Sequence, residues 1–185
     1  MFAVYSYITP TLLEVTGIKS DTVPFFLAVW GVGMVLGNLF GGWLADRSLA
    51  PSILGILIWK ALFLATFSAI ATRPTWTLAN LFLIGMGFAL VPALQARLMS
   101  IAGQAQTLAA ALNHSAFNIA NAVGAALGGI AIAHGFGWAS TGWVGASLAI
   151  FAFVLMRMSY GAKASDATHP HQAQGLRMKG ASSGA

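Results

Sequence analysis

The sequence predicts an all-α membrane protein, a polytopic bundle of six transmembrane helices. Of its 185 residues, 58% are hydrophobic and 7% are charged, whereas roughly a quarter of the residues in a soluble domain are charged. The apolar residues form runs that approach or exceed the ~20 residues needed to cross a bilayer. These runs lack the period-two alternation of strands, and open sheet edges are not tolerated in lipid. Helices therefore remain as the spanning elements.

Glycine, proline and charged residues divide the chain into hydrophobic segments with short links, which favour antiparallel neighbours. The predicted helices are residues 2–17, 23–45, 52–71, 76–96, 108–133 and 139–158. The first segment contains Pro10 and Glu14 and covers only about 25 Å of a hydrocarbon core about 30 Å thick. We therefore expect the first helix to be cut short.

Residues 1–159 are predicted to form the bundle, and residues 160–185 a disordered tail. This tail is rich in Ala, Ser, His, Gln and Gly, so it cannot bury enough apolar surface to offset the entropy of ordering. Its His169-Pro170-His171 sequence is too sparse for a metal site. The chain has no cysteine, which excludes disulfides and thiolate ligands. We expect neither a metal nor a cofactor.

The formal net charge is +5, but the basic residues are scattered between hydrophobic runs, which argues against a nucleic-acid partner. Six crossings place most of them on one side and only two, Lys19 and Arg73, on the other. The richer side carries Arg47, Arg97, Arg157, Lys163, Arg177 and Lys179. Because basic residues concentrate on the cytoplasmic side of membrane proteins, the C-terminus is predicted to be cytoplasmic.

The second helix contains Gly33, Gly37 and Gly41. A spacing of four places them on one helix face, where small residues allow a second helix to approach closely. Gly42, Asp46 and Arg47 follow at the end of this helix. A carboxylate there can bond neighbouring backbone or a cationic partner and act as a conformational latch between helices.

Residues 42–47, Gly-Trp-Leu-Ala-Asp-Arg, resemble the loop signature G-x-L-A-D-R of the major facilitator superfamily. Positions 49–51 depart from the glycine and basic residues that follow in the family pattern, as is usual for the degenerate copy in the second half of these transporters. Two further segments, Phe2 to Gly17 and Leu112 to Gly129, are similar to the seventh and eleventh helices of its drug:proton antiporter branch, near sugar-efflux and chloramphenicol-resistance exporters.

This resemblance implies that the six helices are helices seven to twelve, the C-terminal half of a major facilitator fold. It implies secondary active efflux of a small molecule, a drug or a sugar, coupled to protons and driven by alternating access. The implied partners are the lipid bilayer and an N-terminal six-helix half or a second copy, and the implied location is the bacterial inner membrane. The chain is accordingly expected to be a fragment of a longer transporter.

The fifth helix carries a polar stripe of His114, Asn118 and Asn121, which spans about 60° at about 100° per residue. Such a stripe either bonds to another helix or lines an aqueous cavity where it can meet a substrate. Gly124 and Gly128 are predicted to pack this helix against a neighbour.

Three further polar positions lie within apolar runs. An uncompensated charge at the position of Lys60 costs about 3 kcal/mol, so Lys60 either serves substrate or coupling, or snorkels to a structural partner. Tyr5 and Tyr7 either present hydroxyls to a central cavity or pack between helices. Glu14 lies near the outer end of the first helix, where it is either exposed at the interface or carries protons.

Enzyme signatures for zinc, serine-nucleophile and phosphate-binding sites are absent from the sequence, so we do not expect an enzyme. The alternative to a transporter is a small membrane scaffold or assembly protein that dimerises through its glycine-rich helix faces.

Overall fold

The computed structural model describes the backbone of residues 1–168 and the side chains of residues 1–160, and in this part of the chain it is built from helices alone, which confirms the predicted all-α fold. The α-helices are α1 (Phe2–Tyr5), α2 (Ile8–Pro10), α3 (Val23–Arg47), α4 (Leu49–Ile70), α5 (Pro74–Met86), α6 (Leu90–Ile101), α7 (Gln106–Ala131) and α8 (Ser140–Thr168). Short π-helical turns cover Thr11–Val15 and Ile132–Phe136, and 3₁₀ turns cover Ser20–Thr22 and Gly87–Ala89.

Five helical segments are long and apolar enough to cross a membrane. These spans are Ser20–Arg47, Leu49–Ile70, Pro74–Ile101, Gln106–Phe136 and Ser140–Tyr160, and they coincide with the last five predicted helices. The first predicted helix is instead divided between α1, α2 and the π-helical turn that follows. Pro10 explains this division, because it has no N–H to donate to the carbonyl of Ser6 and its ring crowds that carbonyl.

Several helix ends extend beyond the sequence-based limits, three of them by three residues or more. α4 begins at Leu49 rather than residue 52. Pro51 lies in the first turn, where backbone N–H groups have no acceptor within the helix, so its lack of an N–H costs the helix no hydrogen bond. The Pro74–Ile101 span continues five residues past the predicted end at residue 96. α8 continues to Thr168, into residues predicted to be disordered, because the alanines and lysine there are good helix formers. The rest of that predicted tail, 169–185, lies outside the described residues.

The main helix contacts join α3 to α5 and α6, α4 to α8, and α7 to α1 and α8. Two apolar clusters fill the spaces between them. One contains the buried side chains of Trp30, Phe67 and Leu81, and the other those of Ile53, Leu57 and Leu90. The clusters lie towards opposite ends of α4, so the bundle is packed along its length.

The contact between α3 and the Pro74–Ile101 span is formed by backbone on both sides. A Cβ atom added at Gly33, Gly37 or Gly41 would overlap the carbonyl oxygen of Phe82, Met86 or Ala89, respectively. The partner numbers rise together along the two helices, which shows that α3 and this span run parallel. Only glycine permits this approach, because any side chain would occupy the place of a peptide group.

The Pro74–Ile101 span is interrupted near its middle by the 3₁₀ turn Gly87–Ala89. The N–H of Gly87 bonds to the carbonyls of Ile84 and Gly85, which leaves the carbonyl of Leu83 without its usual helical donor. The indole Nε1 of Trp59 on α4 donates to that carbonyl at 2.8 Å. A side chain from the neighbouring helix therefore satisfies the group that the turn releases, as a span in lipid requires.

Candidate functional site

The helix α7 presents three faces, and each has a different composition. Its buried face, formed by Ala109, Asn113, Gly124 and Gly128, packs against the rest of the bundle. These residues are small apart from Asn113, so α7 lies close to its neighbours. The remaining two faces point outward from the bundle, and they divide into one polar and one apolar stripe.

The polar stripe contains His114, Asn118 and Asn121, of which the first two are exposed and the third is partly exposed. Thr107 lies on the same side of the helix, about two turns before His114, and is also exposed. Imidazole and amide groups offer both donors and acceptors of hydrogen bonds. The polar stripe is therefore a surface able to hold a neutral, hydrogen-bonding molecule.

The apolar stripe of α7 lies about 150° around the helix from the polar stripe. Its exposed residues include Leu112, Ile119, Val123 and Ile130, whose side chains are between 47% and 66% exposed. Contact with hydrocarbon is favourable for such an apolar surface, whereas histidine and asparagine side chains find no hydrogen-bond partner there. The two stripes thus require different surroundings, lipid on one side and water or polar protein on the other.

Asn113 differs from the three residues of the polar stripe because it is turned into the bundle. It is 5% exposed, and its amide Nδ2 has no hydrogen-bond partner among the described residues. Trp30 Nε1 and Asn80 Oδ1 are likewise buried without a partner in that part of the chain. Asn113 directly precedes His114 in the sequence, and the rotation of about 100° per residue along the helix separates it from the stripe.

Tyr7, predicted as a cavity-lining candidate, instead packs between α1 and α7. Its hydroxyl donates to the carbonyl of Ala125 at 3.1 Å, and its ring lies over Gly128, where an added Cβ would be 3.2 Å from Cε2. The absence of a side chain at Gly128 leaves the space that the ring occupies. Tyr7 is therefore a packing residue, the alternative that the sequence had left open.

Tyr5, the second tyrosine candidate, is 49% exposed. Its ring centroid lies 5.5 Å from that of Trp30 on α3, in an edge-to-face arrangement. The structure therefore places Tyr5 beside α3, whereas Tyr7 contacts α7. The two tyrosines do not form one site, and Tyr5 retains an accessible hydroxyl.

Lys60 lies on α4 with a partly buried side chain. The stem of this side chain crosses the 3₁₀ turn of the neighbouring span, where a Cβ at Gly87 would be 2.8 Å from Lys60 Cγ. No carboxylate among the described side chains lies within 4.0 Å of its ammonium group. The absence of a side chain at Gly87 thus leaves space for the lysine stem. Lys60 lies on α4, whereas the polar stripe lies on α7.

The residues of the predicted latch motif lie at the end of α3. Asp46 and Arg47 are exposed, and the Arg47 guanidinium carbon lies 4.1 Å from the ring centroid of Trp43, one turn back on α3. A Cβ at Gly42 would meet nothing within 4 Å, so Gly42 does not support a close helix contact. Within the described residues, Arg47 is held by a cation–π contact along its own helix.

Two features of the structure were not predicted from the sequence. Glu14, in the π-helical turn after α2, accepts a hydrogen bond of 2.6 Å from Trp138 Nε1 just before α8. Gly142 and Gly145 bring α8 close to Leu64 on α4. The spacing of Gly142 and Gly145 was a usable signal for packing, whereas nothing in the sequence pairs Glu14 with Trp138. The described residues contain no group of three or more His, Cys, Asp or Glu side chains that could hold a metal.

Comparison with known proteins agrees with this architecture. The sequence profile described as Major Facilitator Superfamily matches residues 1–181. The chain is 36% identical over 160 residues to the inner membrane transport protein YdhP of Escherichia coli K12, covering 86% of this chain and 41% of that protein. It is 31% identical over 166 residues to a probable sugar efflux transporter of Pasteurella multocida, covering 86% of this chain and 40% of that protein.

An uncharacterized MFS-type transporter of Bacillus subtilis, YtbD, is 32% identical over 159 residues, covering 83% of this chain and 40% of that protein. The chain thus spans about two fifths of the length of these curated relatives. No solved structure gives a significant match.

Proposed function

Because this chain belongs to the major facilitator superfamily, we propose that it forms one six-helix half of a secondary transporter that exports a small, uncharged solute. In this proposal the chain is a multi-pass membrane protein whose polar stripe on α7 lines an aqueous cavity. The bundle rocks against a second six-helix unit, an N-terminal half or a second copy, and exposes the cavity to each side of the membrane in turn.

The division of the outer surface of α7 into two stripes carries this proposal. His114 and Asn118 are exposed and Asn121 is partly exposed, so the polar stripe is not buried within the described bundle. Polar groups on the outside of a membrane bundle need water or a polar partner, because hydrocarbon cannot satisfy them. A cavity between two halves supplies that surrounding, and the apolar stripe opposite meets the lipid.

The chemistry of the stripe favours an uncharged substrate, a sugar or a neutral drug. Asparagine amides donate and accept, which suits hydroxyl-rich molecules. No carboxylate or guanidinium group lies on this stripe, so nothing there compensates a full charge. The relative named as a probable sugar efflux transporter supports a sugar.

We further propose that export is coupled to proton entry across a bacterial inner membrane, with the C-terminus in the cytoplasm. The relative named as an inner membrane transport protein supports this location. Arg47 and Arg97 lie at the same end of the bundle, since α3 runs parallel to the Pro74–Ile101 span. An excess of basic residues at one end favours a cytoplasmic position for that end.

The scaffold alternative receives no support from the packing. It requires free glycine faces for dimerisation, but Gly33, Gly37 and Gly41 already contact backbone within this chain. Gly124 and Gly128 likewise face α1. Both glycine faces are therefore occupied inside the bundle, and we retain the transporter proposal.

Cysteine labelling tests the cavity directly, because the chain has no native cysteine. Single cysteines at 114, 118 and 121 should react with a membrane-impermeant maleimide in native membranes. Matched cysteines at 119, 123 and 130, on the apolar stripe of the same helix, should remain unlabelled. Equal labelling of both sets, or labelling of the apolar set alone, would remove the basis for the cavity.

Transport itself can be measured in everted vesicles energised by a proton gradient. We expect accumulation of a labelled monosaccharide that collapses when an uncoupler abolishes the gradient. Asn118→Ala should reduce accumulation at least fivefold, whereas Ile119→Ala should leave it unchanged. Accumulation that ignores both the gradient and the substitution at 118 would contradict the proposal.

A further inference from the structure

A groove opens on the outside of the bundle between α3 and α4, remote from the polar stripe of α7. Its volume is about 370 Å³, which lies within the range of sites that bind small molecules. The walls come from Phe40 and Leu44 on α3 and from Gly55 and Trp59 on α4, with Met86 at the floor. The lining is almost entirely apolar, so the groove fits a hydrocarbon chain.

Arg47 lies on α3 between two residues that line the groove, Leu44 and Ser48. Phe40, Leu44 and Arg47 follow one another at helical spacings of four and three, which places them on the same face of α3. The guanidinium carbon of Arg47 is 4.1 Å from the ring centroid of Trp43, and this ring stacks on that of Phe40 at a centroid distance of 5.4 Å. The arginine is therefore positioned above an aromatic surface that continues into the groove.

The charge at this end of the bundle is positive. Arg97 lies at the same end and covers the ring of Tyr160 at 4.7 Å. Asp46 is the neighbouring carboxylate, but it is turned about 100° from Arg47 around α3. Among the described side chains, no carboxylate lies within 4.0 Å of Arg47. The guanidinium is thus exposed and available to an anion.

We propose that the groove and Arg47 form a binding site for an anionic phospholipid. One acyl chain lies along Phe40, Leu44 and Trp59, and the headgroup phosphate accepts hydrogen bonds from the guanidinium of Arg47. Arginine binds phosphate through paired N–H groups, and arginine and tryptophan are both favoured at the level of lipid headgroups. Phe40 lies about 10 Å deeper along α3 than Arg47, so the site reaches from the headgroup region into the hydrocarbon.

This site is independent of the proposed transport function, since it lies on other helices than the polar stripe. Without Arg47, the groove would bind lipids of either headgroup charge with the same affinity. The arginine makes it selective for a negative headgroup, and the proposal is therefore a preference between lipids and not mere contact with the bilayer.

Native mass spectrometry of the purified chain tests the preference, with phosphatidylglycerol and phosphatidylcholine of the same acyl chains as the probes. We expect one phosphatidylglycerol to be retained, with about tenfold preference over phosphatidylcholine. Arg47→Gln should remove the preference. Arg97→Gln is the matched control, because it makes the same charge change at another arginine that lies on an aromatic ring; it should leave the retained lipid unchanged.

A second variant tests the groove itself. A Cβ at Gly55 would meet nothing within 4 Å, so Gly55→Leu can fill the groove without displacing the helices. It should abolish retention of phosphatidylglycerol, while the helical circular dichroism signal stays that of the unmodified chain.

Three results would overturn the proposal. The first is equal retention of the two lipids, and the second is an equal loss of preference with Arg47→Gln and Arg97→Gln. The third is a dimer that disappears with Gly55→Leu while no lipid is retained, which would make the groove an interface between copies. None of these results affects the cysteine-labelling test of the polar stripe, so the two proposals fail separately.

Discussion

The α3 contact with the Pro74–Ile101 span and the α1 contact with α7 both use glycine, but different atoms face the glycines. At Gly37 an added Cβ would overlap the peptide group of Met86, whereas at Gly128 it would lie 3.2 Å from the Tyr7 ring and 3.3 Å from the Ala3 carbonyl oxygen, without overlapping backbone. Backbone cannot move without moving its helix, while a ring can rotate or shift. Similar glycine spacing therefore produces one rigid contact and one adjustable contact in the same bundle.

The largest effect should come from adding a methyl group to the rigid contact. Gly37→Ala forces the helices apart, and overpacking of this kind costs about 3 kcal/mol. Gly42→Ala on the same helix meets nothing within 4 Å and should stabilise the fold by up to about 1 kcal/mol through helix propensity. The effects of Gly37→Ala and Gly42→Ala are measured as changes in the free energy of unfolding in mixed detergent micelles. Equal values for the two variants would show that the contact is not rigid.

A smaller effect is expected where a glycine faces a flexible side chain. Gly87→Ala brings a methyl group to 2.8 Å from Lys60 Cγ, which should cost about 1.5 kcal/mol. Lys60→Ala removes the opposing atom, so the cost of Gly87→Ala should disappear in that background. A double-mutant cycle measures this coupling. Additive effects would show that the lysine stem does not cross the turn.

The adjustable contact should respond more weakly. Gly128→Ala should cost about 1 kcal/mol, because the Tyr7 ring can move by a few tenths of an ångström. Gly124→Ala is the control, since its Cβ would be 3.5 Å from the Ala3 nitrogen, an ordinary contact. If Gly128→Ala and Gly37→Ala lowered the free energy of unfolding by the same amount, the two contacts would not differ in rigidity.

The smallest effect concerns the hydrogen bond that joins the first segment to α8. Glu14→Gln and Trp138→Phe should each cost about 0.5 kcal/mol, because Glu14 is exposed and Trp138 partly exposed, so that solvent competes for the bond. The two substitutions should couple in a double-mutant cycle. Asp21→Asn, which makes the same charge change nearby in the chain, should show no coupling with Trp138→Phe.

Hydropathy was sufficient to predict five of the spans, because length and composition decide whether a helix crosses the membrane. It did not predict the division of the first segment, although Pro10 held the necessary information. The interruption at Gly87–Ala89 was missed for a different reason. Its hydrogen bonds are completed by Trp59 from another helix, and such partners are invisible to local patterns.

The candidate site was predicted in part. Helical periodicity grouped His114, Asn118 and Asn121 correctly on one face, but it could not say whether that face points inward or outward. In a membrane helix, buried and lipid-facing residues are both apolar, so the sequence lacks the contrast that orients a soluble helix. The same limit applies to Tyr7, whose hydroxyl meets the carbonyl of Ala125 118 residues away.

The stripes of α7 also restrict how this helix can move. If the polar stripe lines a cavity as proposed, turning α7 about its own axis by half a revolution would carry Asn118 and Asn121 into hydrocarbon and bring Ile119 and Val123 to water. Tilting or sliding the helix along its length exchanges neither surface. Any rearrangement of the bundle must therefore avoid a large rotation of α7 about its own axis, whereas tilt and translation along that axis remain possible.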